Sequence, residues 1–216
     1  MIKAIIWDMD GVLIESEDMH PIIESETAKF FGMDFSPEKV NELYLGVDLV
    51  TEFNDMIKRS GKSDVSYDRM RDKRDELLED YLKNGIKAVP FGKEVIDELS
   101  SQFKMALVSS GERFWAEDAL KRLELFKYFN VVIFAEDVKN HKPSPEAFLK
   151  AAEVLNLKPE EIIVVEDSEA GMKGAKDAGM KVIARIADHN KGKDFSNADY
   201  KVEDLREISK IAKAMG

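Results

Sequence analysis

Asp8 and Asp10 stand two positions apart where the first apolar run ends, in Ile5-Ile6-Trp7-Asp8-Met9-Asp10-Gly11-Val12. On extended backbone, side chains two residues apart face the same side. Two carboxylates in one pocket repel each other unless a cation lies between them or one keeps a proton. The pair therefore points to a Mg2+ site, an acid/base pair, or both. On this stretch alone, a strand-to-loop turn with an aspartate capping Gly11 is the plain alternative.

Three further segments have chemistry of the same kind. Val164-Val165-Glu166-Asp167-Ser168 is a second apolar run ending in acids, and it leads through Ala170-Gly171-Met172-Lys173-Gly174 into a helix. Gly171 lets the backbone come close to a site, and Gly174 lets the helix pack closely on a sheet. Hard oxygen donors from two strand ends suit Mg2+, which takes about six oxygens including several waters. Leu107-Val108-Ser109-Ser110-Gly111 ends a third run in hydroxyls and a glycine. Backbone N–H groups there, with the Ser109 hydroxyl, can hold an anion, although Ser-Ser-Gly is also ordinary loop chemistry. In His141-Lys142-Pro143-Ser144-Pro145-Glu146, the prolines stiffen the backbone just before a helix. That arrangement suits Lys142 as a fixed positive charge against a phosphoryl group or an aspartate. A solvated surface lysine is the alternative for Lys142 taken alone, and His141 reads as a loop residue and not a ligand.

The elements that must position these residues are legible from periodicity. Residues 2–8 read as a buried strand of a parallel sheet. Comparable runs recur at 105–108, 131–134, 162–165 and 181–186, with helical tracts between them. Such alternation indicates an α/β fold, a doubly wound parallel sheet with helices on both faces. Gly179 closes the helix before the last of these strands, and a final helix follows Asp204. Between the first strand and residue 103 lies a polar, amphipathic tract. It reads as helices at 17–31, from the Ser36-Pro37 cap onward, at 49–60, and from Ser66 to about 83. We expect an α/β core over 1–16 and 85–216 with an inserted helical cap over 17–84. Glu15-Ser16-Glu17 and Asn84-Gly85-Ile86 are the expected hinges.

Composition narrows the function. The net charge of −11 over 216 residues argues against nucleic acid and anionic membranes as partners. It still allows a phosphorylated substrate if a metal, a lysine and helix N-termini reverse the field locally. With no cysteine, disulfides and thiolate catalysis are excluded together. Three histidines do not make a histidine-rich metal site. The first apolar run is too short for a signal peptide, so a reducing cytoplasm is the expected compartment.

Asp8-x-Asp10-Gly11-Val12, Ser109, Lys142-Pro143-x-Pro145 and Glu166-Asp167-Ser168-x-x-Gly171 occur in that order, each at or just after a strand end. In this the chain resembles the haloacid dehalogenase superfamily, specifically its Mg2+-dependent phosphatases and phosphomutases with a helical cap inserted after the first motif. The resemblance covers nearly the whole chain. It implies a phosphatase acting on a small phosphorylated metabolite such as a sugar phosphate. Asp8 would be the nucleophile that becomes an aspartyl-phosphate, and Asp10 the acid and then the base. Ser109 and Lys142 would hold the phosphoryl group, with Ser110 and Gly111 beside them. The Asp8 side chain, the Asp10 carbonyl and Asp167 would ligate Mg2+, with Glu166 nearby or acting through water. The cap would read the substrate through His20 and the break at Gly46-Val47.

Two other readings compete. β-Phosphoglucomutases share this architecture and resemble the chain at His20, but relatives of that kind have Arg in the cap loop and Lys after the Ser motif. Here those places hold Leu49 and Glu112, with Arg113 as a partial substitute. A non-catalytic phospho-aspartate regulatory protein would normally have lost one of Asp8, Asp10, Lys142 or Asp167, and all four are present. Arg69, Arg71, Lys73 and Arg74, interleaved with acids, read as a solvated, salt-bridged face. The identity of the metabolite and the oligomeric state cannot be read from the sequence.

Overall fold

Six parallel strands form one sheet in the order β3-β2-β1-β4-β5-β6. They are β1 (Ala4–Trp7), β2 (Lys104–Val108), β3 (Val131–Ile133), β4 (Ile162–Glu166), β5 (Lys181–Arg185) and β6 (Tyr200–Val202). The computed structural model describes residues 1–16, 19–44, 47 and 49–216. Two compact units emerge, 1–15 with 86–216, and 16–85.

The first unit contains the sheet. β1 lies between β2 and β4, in register Ile6↔Ala106 and Ile6↔Val164. From β1 the chain winds outward through β2 to β3, then returns to β4 on the other side. The strand order therefore reverses beside β1, and in open α/β sheets ligands bind at the carboxyl ends of strands at such a point. Ile6, Ala106, Val108, Val164 and Val182 alternate onto one face. There they pack against Phe148 and Ala151 of α7 (Glu146–Leu155) and Met172 and Ala175 of α8 (Glu169–Asp177). The residues of opposite parity, Ile5, Trp7, Met105 and Leu107, are equally buried. Burial on both faces is why these strands read as unbroken apolar runs and not as alternating ones. The remaining helices of this unit are α5 (Gly92–Ser100), α6 (Arg113–Arg122) and α9 (Arg206–Met215), of which α5 and α9 pack together. β6 was not among the expected strands. Its three residues include the exposed Tyr200 and Lys201, too short and too polar for a periodic signal.

The second unit comprises α1 (Met19–Phe30), α2 (Pro37–Tyr44), α3 (Leu49–Ser60) and α4 (Tyr67–Asn84). Ala28, Met33, Phe35, Val40, Phe53, Met56 and Met70 form its core. Ser66 caps α4 by accepting from the Arg69 N–H. Gly85 at φ 113° ends α4, in a conformation that L side chains rarely adopt. The expectation of a wholly solvated basic face needs one correction. Arg71 and Lys73 do pair with surface acids, but Arg74 is 5% exposed. Among the described residues no helix is long and apolar enough to cross a membrane.

Candidate active site

The loop after β1 is built around one carbonyl. The N–H groups of Val12, Leu13 and Ile14 all donate to the Met9 oxygen at 2.8 to 3.3 Å. Ile14 then forms a bridge with Ala88, and Val89 N–H donates to the Leu13 oxygen. This tight turn leaves Asp8 buried and Asp10 half-buried. Gly11, at φ 69°, has no room for a side chain, since a Cβ there would lie 2.2 Å from Asp167 Oδ2.

Lys142 gathers the acids. Its Nζ donates to Asp8 Oδ1 at 2.6 Å, to Glu166 Oε1 at 2.6 Å and to the Val108 carbonyl at 3.1 Å. All three donor positions of the ammonium are thereby used. The segment before α7 holds this lysine through close packing. A Cβ on Gly174 of α8 would meet the Pro143 and Ser144 carbonyl oxygens at 3.1 Å, so the glycine admits that segment and not the sheet. Burial lowers the Lys142 pKa, but the Asp8 and Glu166 carboxylates more than reverse this and keep the ammonium above its ordinary value.

Ser109 follows β2, is buried, and accepts from the Gly111 N–H through its hydroxyl at 3.0 Å. Ser110 beside it is exposed. Glu166 is fully buried and has both oxygens engaged. Oε1 takes Lys142, while Oε2 accepts from the N–H groups of Asp167 and Ser168 and from the Ser168 hydroxyl at 2.9 to 3.0 Å. Gly171 makes room for it, because a Cβ there would fall 1.7 Å from Oε1.

Carboxylate oxygens of Asp8, Glu166 and Asp167 lie within 4.8 Å of one another. Burial raises the Asp8 pKa well above its usual range; Lys142 opposes that, and the charges of Glu166, Asp167 and Asp10 reinforce it. Three carboxyls outnumber the two cations that face them, the Lys142 ammonium and the Arg185 guanidinium beside Asp167, which leaves this pocket short of positive charge. Hard oxygen donors with a charge deficit are what Mg2+ selects, so the residues present fit that ion.

The structure therefore brings together Asp8, Ser109, Lys142, Glu166 and Asp167, with Asp10 two residues beyond Asp8. His20 lies in α1 of the 16–85 unit, where burial and the Arg74 charge lower its pKa to about 4. Val47 is exposed, and its N–H donates to the Tyr44 carbonyl at 2.8 Å. Gly46 lies outside the described residues. Arg113 is already engaged, donating to Asp137 at 2.6 Å.

Sequence reasoning missed one group. Arg185, His189 and Asn190, on and just after β5, contact Gly11 and Asp167. The available signal was position: they too lie at or just after a strand end, as Asp8, Ser109, Glu166 and Asp167 do, whereas Lys142 lies in the segment before α7 and not just after a strand.

Comparison with known proteins points to one family. A model of the family described as haloacid dehalogenase-like hydrolase matches residues 5–185. The phosphorylated carbohydrates phosphatase of Thermotoga maritima is 31% identical over 191 residues, which span 84% of this chain and 83% of that protein. The pyrophosphatase PpaX of Bacillus mycoides is 28% identical over 219 residues, spanning 97% and 96%. Among solved structures, CbbY from Rhodobacter sphaeroides in complex with phosphate has a TM-score of 0.83 at 25% identity, covering 96% of each chain.

Proposed function

Because this chain belongs to the haloacid dehalogenase-like hydrolases and is a phosphatase, we propose that it hydrolyses a small phosphomonoester, such as a sugar phosphate, through an aspartyl-phosphate on Asp8. The observation that carries this reading is the placement of Lys142 Nζ at 2.6 Å from both Asp8 and Glu166, with Asp167 in the same carboxyl cluster.

A carboxylate approaching a phosphate dianion to about 4 Å meets several kcal/mol of repulsion at an effective dielectric near 20. Lys142 offsets part of this while holding one Asp8 oxygen in place. The Asp8 side chain, the Asp10 carbonyl and Asp167 would hold Mg2+, with Glu166 outside them and acting through water. When bound, that ion would supply the positive charge the pocket lacks and orient the phosphoryl oxygens.

Asp8 then attacks phosphorus, the bond to the leaving oxygen breaks, and Asp10 protonates that oxygen. In the second half Asp10 removes a proton from water, which attacks the aspartyl-phosphate and releases inorganic phosphate. Burial of Asp8 beside a half-buried Asp10 supports this division, since the nucleophile is desolvated while the acid/base group stays within reach of water. Ser109, with Ser110 and Gly111, would hold the phosphoryl oxygens through hydroxyl and N–H donors. Substrate choice is assigned to the 16–85 unit, with His20, Gly46 and Val47 as its reading residues. A mutase must grip a second phosphate, and Leu49 and Glu112, where relatives of that kind have Arg and Lys, weigh against that activity.

The test is phosphate release from a panel of phosphorylated metabolites with Mg2+ and with EDTA, for the natural protein and for Asp8→Asn. Turnover that needs Mg2+ and vanishes in Asp8→Asn is expected. Full turnover in EDTA, or in Asp8→Asn, would reject the mechanism.

A further inference from the structure

We propose that the turn following β5 is a positioning element for Asp167: His189 sets the direction of its carboxylate, Asn190 fixes its backbone, and together they set the affinity of the site for a divalent cation. This rests on the reading of Asp8 and Asp167 as cation ligands.

Asp167 stands one residue past β4 and is 3% exposed. A lone carboxylate on two rotatable bonds can swing, and the surrounding atoms prevent it. His189 Nε2 lies 2.6 Å from Asp167 Oδ2, and since a carboxylate only accepts, the imidazole is the donor. Gly11 lies close to this pair: a Cβ there would sit 2.2 Å from Oδ2 and 3.0 Å from His189 Nε2, so the absence of a side chain is what leaves room for the bond. The turn that presents His189, Asp188–Asn190, is itself fixed to the sheet. The Asn190 amide uses both N–H groups, donating to the Asp167 carbonyl at 3.0 Å and the Arg185 carbonyl at 2.9 Å. Its oxygen accepts from the Ala187 N–H at 2.8 Å, and the residue is 1% exposed. Asn190 thereby clamps the ends of β4 and β5 together. Arg185 extends the clamp by donating to the Gly11 carbonyl, tying the β1 loop to the same corner.

His189 thus holds Oδ2, and that bond fixes the direction in which the Asp167 carboxylate is presented to the cluster with Asp8 and Glu166. Metal-ligating carboxylates are commonly held this way by outer hydrogen bonds, and removing such a partner typically costs about 10–100-fold in metal affinity. None of this requires His189 to change its protonation state; its work is to donate one hydrogen bond in a fixed direction.

The experiment is calorimetric titration of Mg2+ into the full chain, for the natural protein and for His189→Ala, His189→Phe and His189→Gln, with the melting temperature of each recorded in EDTA. We expect the natural protein to bind and His189→Ala to bind roughly tenfold more weakly, with no change in EDTA melting temperature. His189→Phe keeps the ring and lacks the donor, and is expected to match the alanine variant, which keeps the test usable if alanine disturbs folding. His189→Gln, whose amide can donate, is expected to recover most of the affinity. Unchanged Mg2+ affinity in His189→Ala and His189→Phe overturns the inference, with or without a lower melting temperature, and leaves the Asp8–Asp167 site standing. Absence of Mg2+ binding by the natural protein overturns that site and this inference with it.

Discussion

Lys142 is held between Asp8 and Glu166 with its side chain 8% exposed, and that burial makes its removal costly in two ways. Lys142→Met would leave two buried acids facing each other, a change that typically costs about 3–5 kcal/mol. A loss of unfolding free energy of that size, read as a lower urea midpoint, is expected along with loss of turnover. Adding Glu166→Gln to the same variant should restore part of the stability and none of the activity, because one uncompensated charge is gone while the nucleophile still lacks its partner. Asp10→Asn should behave differently. Asp10 is half-buried, so its replacement should leave the midpoint unchanged and lower kcat by about a hundredfold or more. Both variants are read by urea denaturation alongside steady-state phosphate release. At this scale the sequence shows clearly which residues end strands, and Asp8, Ser109, Glu166 and Asp167 lie at or just after such ends, while Lys142 comes nine residues after β3, in the segment that enters α7. It does not show that Arg185 reaches a carbonyl 174 residues away, since nothing in the local residue types marks that contact.

Individual elements make their own predictions. α8 approaches β4 closely because Gly171 carries no side chain over Glu166. Gly171→Ala should displace Glu166 from Lys142 and lower kcat without touching any group that meets substrate, and its crystal structure should show the Lys142–Glu166 bond broken. In the helical unit, α3 places Glu52 at 3% exposure beside Glu24 of α1 and Arg74 of α4. Burial, then the Glu24 charge, raises the Glu52 pKa to about 9, and burial against the opposing Arg74 charge raises Glu24 to about 7. Glu52 keeps a proton and donates it to Glu24. Both folded values lie above the unfolded ones, so the folded unit holds more protons and its stability falls as pH rises through this range. His20, lowered to about 4, acts the other way below about pH 6.5, so the fall is cleanest between pH 7 and 9. Glu52→Gln mimics the protonated acid and should flatten the decline, measured as helical melting temperature against pH. Most of these elements were legible: the predicted third helix at 49–60 coincides with α3, and the four later apolar runs mark β2 to β5. β6 was not, being a polar strand of three residues, and neither was the burial of Arg74 within a charged run, because composition alone does not tell which charges turn inward.

For the molecule as a whole, the net charge of −11 sets the field a phosphorylated substrate meets at a distance. The Debye length shrinks from about 30 Å at 0.01 M salt to about 8 Å at 0.15 M. Long-range repulsion of an anionic substrate should therefore weaken with added salt, while the close contacts at Lys142 are screened far less. We expect kcat/KM to rise over that range with kcat unchanged, measured with potassium chloride at constant free Mg2+; a fall in kcat/KM would show that attraction dominates even at long range. Gly11 has a consequence on another timescale. Its backbone angle strains any side chain there, a cost of about 1–2 kcal/mol, and the nearby Asp167 oxygen leaves no room for one. Making room by a change elsewhere would leave the strain in force, so a single compensating change restores only part of what a substitution there loses. A lineage that lost this glycine would regain the reaction most directly by regaining the glycine.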